Sequence, residues 1–147
     1  MQEKNIPILV VEDEKHLLDL YVNLLCNDYH VLTATNGKEA FEIFQNTPEI
    51  AVVLTDVYME TDIAGIELIN RISKIKPSTQ FIIVSSFHED ALIALQTLKG
   101  IASLPKPIDS LHVRLAVKSA CIRYKETIWL EELKVLLERS PWLKHDA

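Results

Sequence analysis

Five short apolar runs alternate along this chain with segments whose apolar residues recur at helical spacing. Apolar runs of about four to eight residues are typical of strands that are covered on both faces of a sheet. The alternation therefore predicts a doubly wound α/β fold with a parallel sheet of strand order 2-1-3-4-5, and right-handed crossovers place helices on both faces. The predicted strands are Ile8–Val11, His30–Thr35, Ile50–Thr55, Phe81–Ser85 and Ala102–Leu104.

Each predicted strand is followed by a predicted helix. Asn36-Gly37 marks the turn before the second helix, and Asp109 or Ser110 caps the last one. The apolar stripes of the first four helices run from Leu17 to Leu25, from Ala40 to Phe44, from Ile66 to Ile75 and from Ala91 to Leu98.

The composition excludes several classes of protein. The 147 residues carry a formal net charge of −6, with 15 Lys and Arg against 21 Asp and Glu, which disfavours nucleic-acid binding. No apolar stretch approaches the roughly 20 residues of a membrane span, and the first apolar run is too short for a secretory signal. We therefore expect a cytoplasmic protein without a membrane partner, in which Cys26 and Cys121 are buried free thiols.

Charged residues directly follow three of the predicted strands. Glu12 and Asp13 come after the first strand, Asp56 after the third and Lys106 after the fifth. Because the carboxyl ends of parallel strands meet at one edge, we expect these side chains in one crevice, at the switch point between strands one and three. Clustered carboxylates cost electrostatic free energy unless a divalent cation and a phosphoryl group complete the site. The sequence thus predicts a site for both.

Five fragments in this order make a specific pattern. The fragments are Val-Val-Glu12-Asp13-Glu, Leu-Thr-Asp56-Val-Tyr-Met59, Gly65-Ile-Glu-Leu, Ile-Val-Ser85-Ser and Leu-Pro-Lys106-Pro107. In these fragments, and over about residues 5–125, the chain resembles the receiver domains of two-component response regulators, of the chemotaxis-regulator type. The resemblance implies a flavodoxin-like fold and a phosphoacceptor switch, not an enzyme beyond self-catalysed phosphoryl acceptance and slow autodephosphorylation.

The resemblance assigns the phosphoacceptor and a metal site. Asp56 matches the residue whose carboxylate attacks phosphorus and forms an acyl phosphate. Mg²⁺ is the implied cofactor, since it prefers hard oxygen ligands. Its implied ligands are Glu12, Asp13, Asp56 and the backbone carbonyl of Tyr58.

The resemblance also covers the residues that would contact the phosphoryl group. Lys106 matches the lysine that pairs with phosphoryl oxygens, Ser85 matches the hydroxyl that reports the modification to the surface, and a cis Lys106–Pro107 bond is implied. Two positions depart from the family pattern: Glu60 stands where proline is usual, and Ser103 stands at the usual aromatic switch position. Because a small side chain cannot perform the swing of an aromatic ring, the output is expected to rely on Ser85 and on backbone shifts.

Other interpretations of these residues remain open. Acids after a strand commonly cap a helix, an aspartate at a strand end is commonly a turn residue, and a lysine between prolines can be a solvated turn cation. The departures at Glu60 and Ser103 are compatible with a phosphorylation-independent interaction module. A Mg²⁺ phosphohydrolase on a related fold is a third alternative. The adjacent acids Glu12 and Asp13 argue against it, because such enzymes place the second acid two residues after the first.

The signalling interpretation implies partners on both sides of the phosphoryl transfer. A sensor histidine kinase or a phosphotransfer protein would be the donor. The 39 residues from Asp109 onward are too few for a winged helix or a catalytic output domain. We therefore expect a downstream protein partner, or an output domain in a longer chain.

The C-terminal stretch continues helix-forming sequence from Ser110 to about Arg139. We assign residues 1–125 to the receiver domain and residues 126–147 to a helical extension that serves dimerisation or connection. Either a second short helix folds back, or one helix projects and pairs with a second copy or with an output domain. The first apolar stripe is Val113, Val117, Ala120, Cys121 and Tyr124, and the offset stripe is Leu115, Ile122, Trp129, Leu133, Leu136 and Leu137.

Overall fold

The computed structural model describes residues 3–57, 59, 64–86 and 101–143. These residues form one five-stranded sheet in the order β2-β1-β3-β4-β5, and every neighbouring pair is parallel. The predicted doubly wound fold is confirmed. The strands are β1 (Pro7–Val11), β2 (His30–Ala34), β3 (Val52–Asp56), β4 (Gln80–Ser85) and β5 (Ile101–Pro105).

Four α-helices lie among the described residues, and their caps follow from the sequence. The Asn36 side chain accepts a hydrogen bond from the Glu39 backbone N–H, and the Asp109 side chain accepts from those of Leu111 and His112. The fourth helix of the sequence prediction, over residues 91–98, lies outside the described residues. The helices are α1 (Lys15–Leu25), α2 (Gly37–Asn46), α3 (Ala64–Ile75) and α4 (Ser110–Arg139).

The core has one layer on each face of the sheet, because successive strand residues point to opposite faces. In β1, Ile8 and Val10 face the layer that contains Tyr21 of α1 and the buried stripe of α4. Leu9 and Val11 face the layer of α2 and α3. Glu12 follows Val10 by two residues, just past the end of β1, and therefore points to the same face of the sheet as Val10. Its carboxylate thus lies at the end of the apolar layer between the sheet and α1.

The last helix, α4, is unbroken over 30 residues, which is about 45 Å at 1.5 Å per residue. The interpretation in which a second short helix folds back is therefore wrong over Ser110–Arg139. The first apolar stripe is buried as predicted. The offset stripe faces solvent except at Leu133, which is half-buried: the exposed members are Leu115, Ile122, Trp129, Leu136 and Leu137.

The two cysteines are free thiols, but only one of them is buried. Cys121 lies in the core, whereas Cys26 is exposed. Cys26 caps the C-terminus of α1, one residue after the last buried position of that helix, and its side chain is exposed. Within the described ranges, the structure has no helix that is long and apolar enough to cross a lipid bilayer.

Candidate functional site

The carboxyl ends of the strands bring the charged residues together. β1 and β3 are neighbours in the sheet, with Val11 opposite Thr55, so the residues that follow β1 lie beside Asp56 at the end of β3. On the other side, the Lys106 backbone N–H donates to the Ser85 carbonyl at 3.1 Å. The parallel ladder therefore positions the acids and the lysine around one crevice.

Three carboxylates converge in this crevice. One oxygen from each of Glu12, Asp13 and Asp56 lies within 4.8 Å of the other two. Glu12 and Asp56 are buried, with 1% and 5% of their surface exposed, and Asp13 is exposed. We call these carboxylates, together with the ammonium of Lys106, the acidic pocket.

Lys106 supplies the positive charge of the acidic pocket. Its Nζ lies 2.5 Å from Asp56 Oδ2 in a charge-assisted hydrogen bond. Partial burial on its own lowers the pKa of Lys106, but the hydrogen bond to Asp56 and the charges of Asp56, Glu12 and Asp13 outweigh it and raise that pKa. The ammonium therefore stays protonated, and the interpretation of Lys106 as a solvated turn cation does not fit its position.

Glu12 is the least compensated acid of the acidic pocket. Its Oε1 accepts a hydrogen bond from the Glu14 backbone N–H at 3.3 Å, whereas its Oε2 is buried without a hydrogen-bond partner in the part of the chain that the structure describes. Burial raises the pKa of Glu12 to about 7, with Lys106 lowering and Asp56 raising it to smaller extents. An orphaned buried carboxylate oxygen beside two more carboxylates is a donor set that fits a hard divalent cation.

The helix-capping alternative for the two adjacent acids does not describe this site. The N-cap residue of α1 is Glu14, and it makes no side-chain capping bond. Asp13 instead contributes a carboxylate oxygen to the acidic pocket, and so does Glu12. The acids after β1 therefore face the crevice.

The remaining predicted site residues are placed as follows. Ser85 is fully buried at the end of β4, one residue beyond the partner of Asp56 in the sheet, which is Val84. The Lys106–Pro107 peptide bond is cis, as the resemblance implies. Ser103 is half-buried on β5. Two residues named from the sequence, Tyr58 and Glu60, lie outside the described residues.

Gly65 has a role at the site that sequence reasoning did not identify. Its backbone N–H donates a hydrogen bond to the Val57 carbonyl at 3.2 Å, and this bond links the first turn of α3 to the residue that follows β3. A Cβ atom at this position would overlap the Asp56 carbonyl oxygen. The available signal was a glycine in the first turn of a predicted helix, where the local sequence gives no reason for one.

Comparison with known proteins agrees with this geometry. The family model for the response regulator receiver domain matches residues 8–118. The response regulator receiver protein CpdR of Brucella abortus is 34% identical over 86 residues, which are 58% of this chain and 70% of that protein. The crystal structure of a response regulator receiver domain protein from Clostridium thermocellum has 30% identity and a TM-score of 0.74, over 83% of this chain and 98% of that chain.

Other relatives are much longer than this chain. Histidine kinase P4 of Formosa agariphila is 33% identical over 116 residues, which are 76% of this chain but 8% of the kinase. Among the curated relatives it matches, the chain thus spans as little as a twelfth of the relative's length.

The crystal structure of an adenylate cyclase from Rhodopirellula baltica shares the fold, with a TM-score of 0.80 and 24% identity over 92% of this chain and 99% of that chain.

Proposed function

This chain belongs to the response regulator receiver family, and from that premise we propose that it is a phosphoacceptor switch of a two-component phosphorelay, phosphorylated on Asp56. The observation that carries the proposal is the acidic pocket. Three carboxylates lie within 4.8 Å of one another, and one of them is paired with an ammonium. Like charges concentrated at the carboxyl edge of the sheet cost free energy, so a role in stability alone does not account for this group of acids.

In the proposed reaction, a carboxylate oxygen of Asp56 attacks the phosphorus of a phosphohistidine. A P–O bond to Asp56 forms, the P–N bond to the imidazole breaks, and the imidazole takes up a proton as it leaves. The product is an acyl phosphate. The protein's contribution is positioning and charge neutralisation, which account for most of the catalysis of phosphoryl transfer.

The donor set of the acidic pocket suits Mg²⁺. Glu12, Asp13, Asp56 and the backbone carbonyl of Tyr58 would hold the ion, which when bound offsets the negative charge of the carboxylates and of the incoming phosphoryl oxygens. Glu12 must be ionised to contribute, and its pKa of about 7 makes this contribution sensitive to pH near neutrality.

Lys106 and Ser85 are the proposed contacts of the phosphoryl group. In the unphosphorylated state the Lys106 ammonium is bonded to Asp56. Phosphorylation adds oxygens with more negative charge, which compete for that ammonium and for the Ser85 hydroxyl. Movement of Lys106 and Ser85 toward the phosphoryl group would shift a two-state equilibrium at a surface that includes β5 and α4.

The proposed partner that delivers the phosphoryl group is a sensor histidine kinase or a phosphotransfer protein, which places the chain in the cytoplasm. The partner that receives the signal is a further protein, or an output domain in a longer chain. The chain itself would act only on its own Asp56, accepting the phosphoryl group and losing it slowly to water. The phosphorylation-independent alternative does not explain why three acids and a lysine converge at the carboxyl edge of the sheet.

A second copy of the chain is a further proposed partner, through the projecting helix. Leu115, Ile122, Trp129 and Leu136 recur every seven residues on the side of α4 that faces away from the core, and we call them the exposed stripe. With roughly 200 Å² for each tryptophan and roughly 100 Å² for each leucine or isoleucine, the eight side chains of two copies would together bury about 1,000 Å². That area reaches the lower limit for a specific interface.

The test of the proposed function is Mg²⁺-dependent labelling by a small phosphodonor such as acetyl phosphate. We expect labelling of the wild type with Mg²⁺, loss of labelling in Asp56→Ala, and no change in Asp28→Ala, which removes an exposed aspartate after α1. Equal labelling of Asp56→Ala and the wild type would overturn the assignment of Asp56. A wild type that is not labelled at all would favour the phosphorylation-independent module.

A further inference from the structure

Charged residues alternate with the apolar members of the exposed stripe of α4. Each of the four stripe residues is exposed, and an exposed charged residue follows each of them three positions later, on the same side of the helix. These charged residues are Lys118, Lys125, Glu132 and Arg139. Any partner of the exposed stripe must therefore accommodate its charges as well as its apolar side chains.

The two halves of α4 carry opposite net charge. Residues 110–125 contain four basic residues and no acidic one, which gives +4 with His112 neutral. Residues 126–139 contain four acidic and two basic residues, which gives −2. The buried stripe ends at Tyr124, so the basic half packs on the domain and the acidic half extends past it. One continuous helix thus presents a basic surface and an acidic surface along the same exposed stripe.

A groove on the acidic half adjoins the exposed stripe. It is lined by three apolar residues and two glutamates, which are Ile128, Val135, Leu136, Glu131 and Glu132. Apolar side chains beside two carboxylates suit a partner segment that is both apolar and basic. The basic half of α4 in a second copy has this chemistry, since Lys118 lies between Leu115 and Ile122 on its exposed side.

We propose that two copies pair along their exposed stripes in antiparallel orientation, with the basic half of each α4 beside the acidic half of the other. This inference rests on the proposed pairing with a second copy and adds its orientation. The seven-residue spacing sets Leu115 opposite the partner's Leu136. In the same register Ile122 lies opposite the partner's Trp129, so the stripe residues of both copies are all used.

The charged residues between the stripe members favour this orientation. In the antiparallel register Lys118 lies within one residue of the level of the partner's Glu132, which is about 1.5 Å along the axis. Two-fold symmetry forms this ion pair twice. A parallel pair would instead place Lys118 beside Lys118 and Glu132 beside Glu132, and like charges oppose pairing. Lys125 lies next to the two-fold axis and meets its own copy in either orientation, so it does not distinguish them.

Exchange of the two charges tests their contact across the pair. Lys118→Glu and Glu132→Lys should each raise the Kd of the dimer about tenfold in sedimentation experiments, because each turns two attractive pairs into repulsive ones. The double variant Lys118→Glu/Glu132→Lys restores the attraction, so its Kd should return to within about threefold of the wild type. Lys134→Glu, an exposed lysine on another side of α4, is the control for the change in net charge. Single variants with an unchanged Kd, or a double variant no tighter than either single variant, would overturn the proposal.

The distance between two spin labels measures the orientation directly. Arg139→Cys places one label at the end of each α4, in a Cys26→Ser background that removes the exposed native thiol. Because Arg139 falls level with the partner's His112, the labels of an antiparallel pair are separated by the rise of 27 residues, about 40 Å. In a parallel pair they would lie roughly 10–20 Å apart.

We expect pulsed electron paramagnetic resonance to give a distance of about 40 Å between the two labels. A dimer with a main distance below about 30 Å would overturn the antiparallel orientation and leave the pairing itself in place. A wild type that sediments only as a monomer would overturn both the pairing and its orientation. Neither result bears on the phosphoacceptor proposal, which labelling of Asp56 tests separately.

Discussion

Gly65 and Asp56 are in backbone contact, since a Cβ atom on Gly65 would overlap the Asp56 carbonyl oxygen and lie 2.9 Å from the Cα of Val57. The contact is between backbones, so neither side can move aside cheaply. It sets the start of α3 against the strand end that carries the proposed phosphoacceptor. Residues of α3 can thus affect Asp56 without touching its carboxylate.

We predict that Gly65→Ala lowers the free energy of unfolding by about 2 kcal/mol and slows labelling of Asp56 by a phosphodonor at least threefold, because the added methyl group pushes α3 and the strand end apart. Urea unfolding and the initial rate of labelling measure the two effects. Gly37→Ala, at the first position of α2, is the control and should be neutral or slightly stabilising. Gly65→Ala as stable as the wild type would show that the contact relaxes without cost.

The ion pair of Lys106 and Asp56 gives a second prediction, in which the ammonium of Lys106 and Mg²⁺ compete for the same carboxylates. In Lys106→Met the ammonium no longer opposes a metal ion for the same carboxylates, so the Kd for Mg²⁺ should fall several-fold while the metal-free protein loses about 1 kcal/mol of stability. The stability loss is modest because Lys106 remains 24% exposed. Calorimetric titration and urea unfolding measure these quantities. Lys118→Met, an exposed lysine on α4, controls for the loss of net charge. Weaker Mg²⁺ binding by Lys106→Met would contradict the competition.

The sequence predicts the sheet well because a parallel sheet covered on both faces imposes apolar runs that nothing else in the chain requires. The third predicted strand, Ile50–Thr55, differs from β3 only in its bounds, since Ile50 and Ala51 precede the strand and Asp56 ends it by pairing with Val84. Convergence of the acids was predictable for the same reason: strand direction alone determines where the charged residues meet.

Features that depend on tertiary contacts were not predictable. Tyr21 belongs to the apolar stripe of α1 by periodicity, and nothing local shows that its hydroxyl is buried without a hydrogen-bond partner among the described residues. The requirement for glycine at Gly65 comes from a backbone that is nine residues away in sequence. Periodicity along α4 could not distinguish a single helix from two, because a helix that turns back keeps the same spacing. Cys26 was assigned to the core because its neighbours are apolar, but the helix ends there.

The pKa of Glu12 gives a prediction about stability and pH. In the folded protein this pKa is about 7, above its ordinary value of 4.5, so between these values the folded state binds more protons than the unfolded state. The free energy of unfolding of the metal-free protein should therefore fall as the pH rises from about 5 to about 7, by an amount on the order of 2 kcal/mol. Urea unfolding at intervals of pH should show this slope in the wild type and in the control Glu42→Gln, an exposed acid of α2, but not in Glu12→Gln. Parallel profiles for the wild type and Glu12→Gln would exclude Glu12 as the source.

The exposed stripe of α4 gives a prediction about assembly. Trp129 and Leu136 are 61% and 67% exposed on the part of the helix that projects past the buried stripe, where their burial by a second copy would contribute most. We expect the wild type to sediment as a dimer at protein concentrations of tens of micromolar. The double variant Trp129→Glu/Leu136→Glu should sediment as a monomer, because each glutamate would place an unpaired charge in the interface between the two exposed stripes. Lys134→Glu changes charge on another side of the same helix and should leave the dimer intact. A wild type that remains monomeric throughout this range would show that the exposed stripe is not a self-association surface.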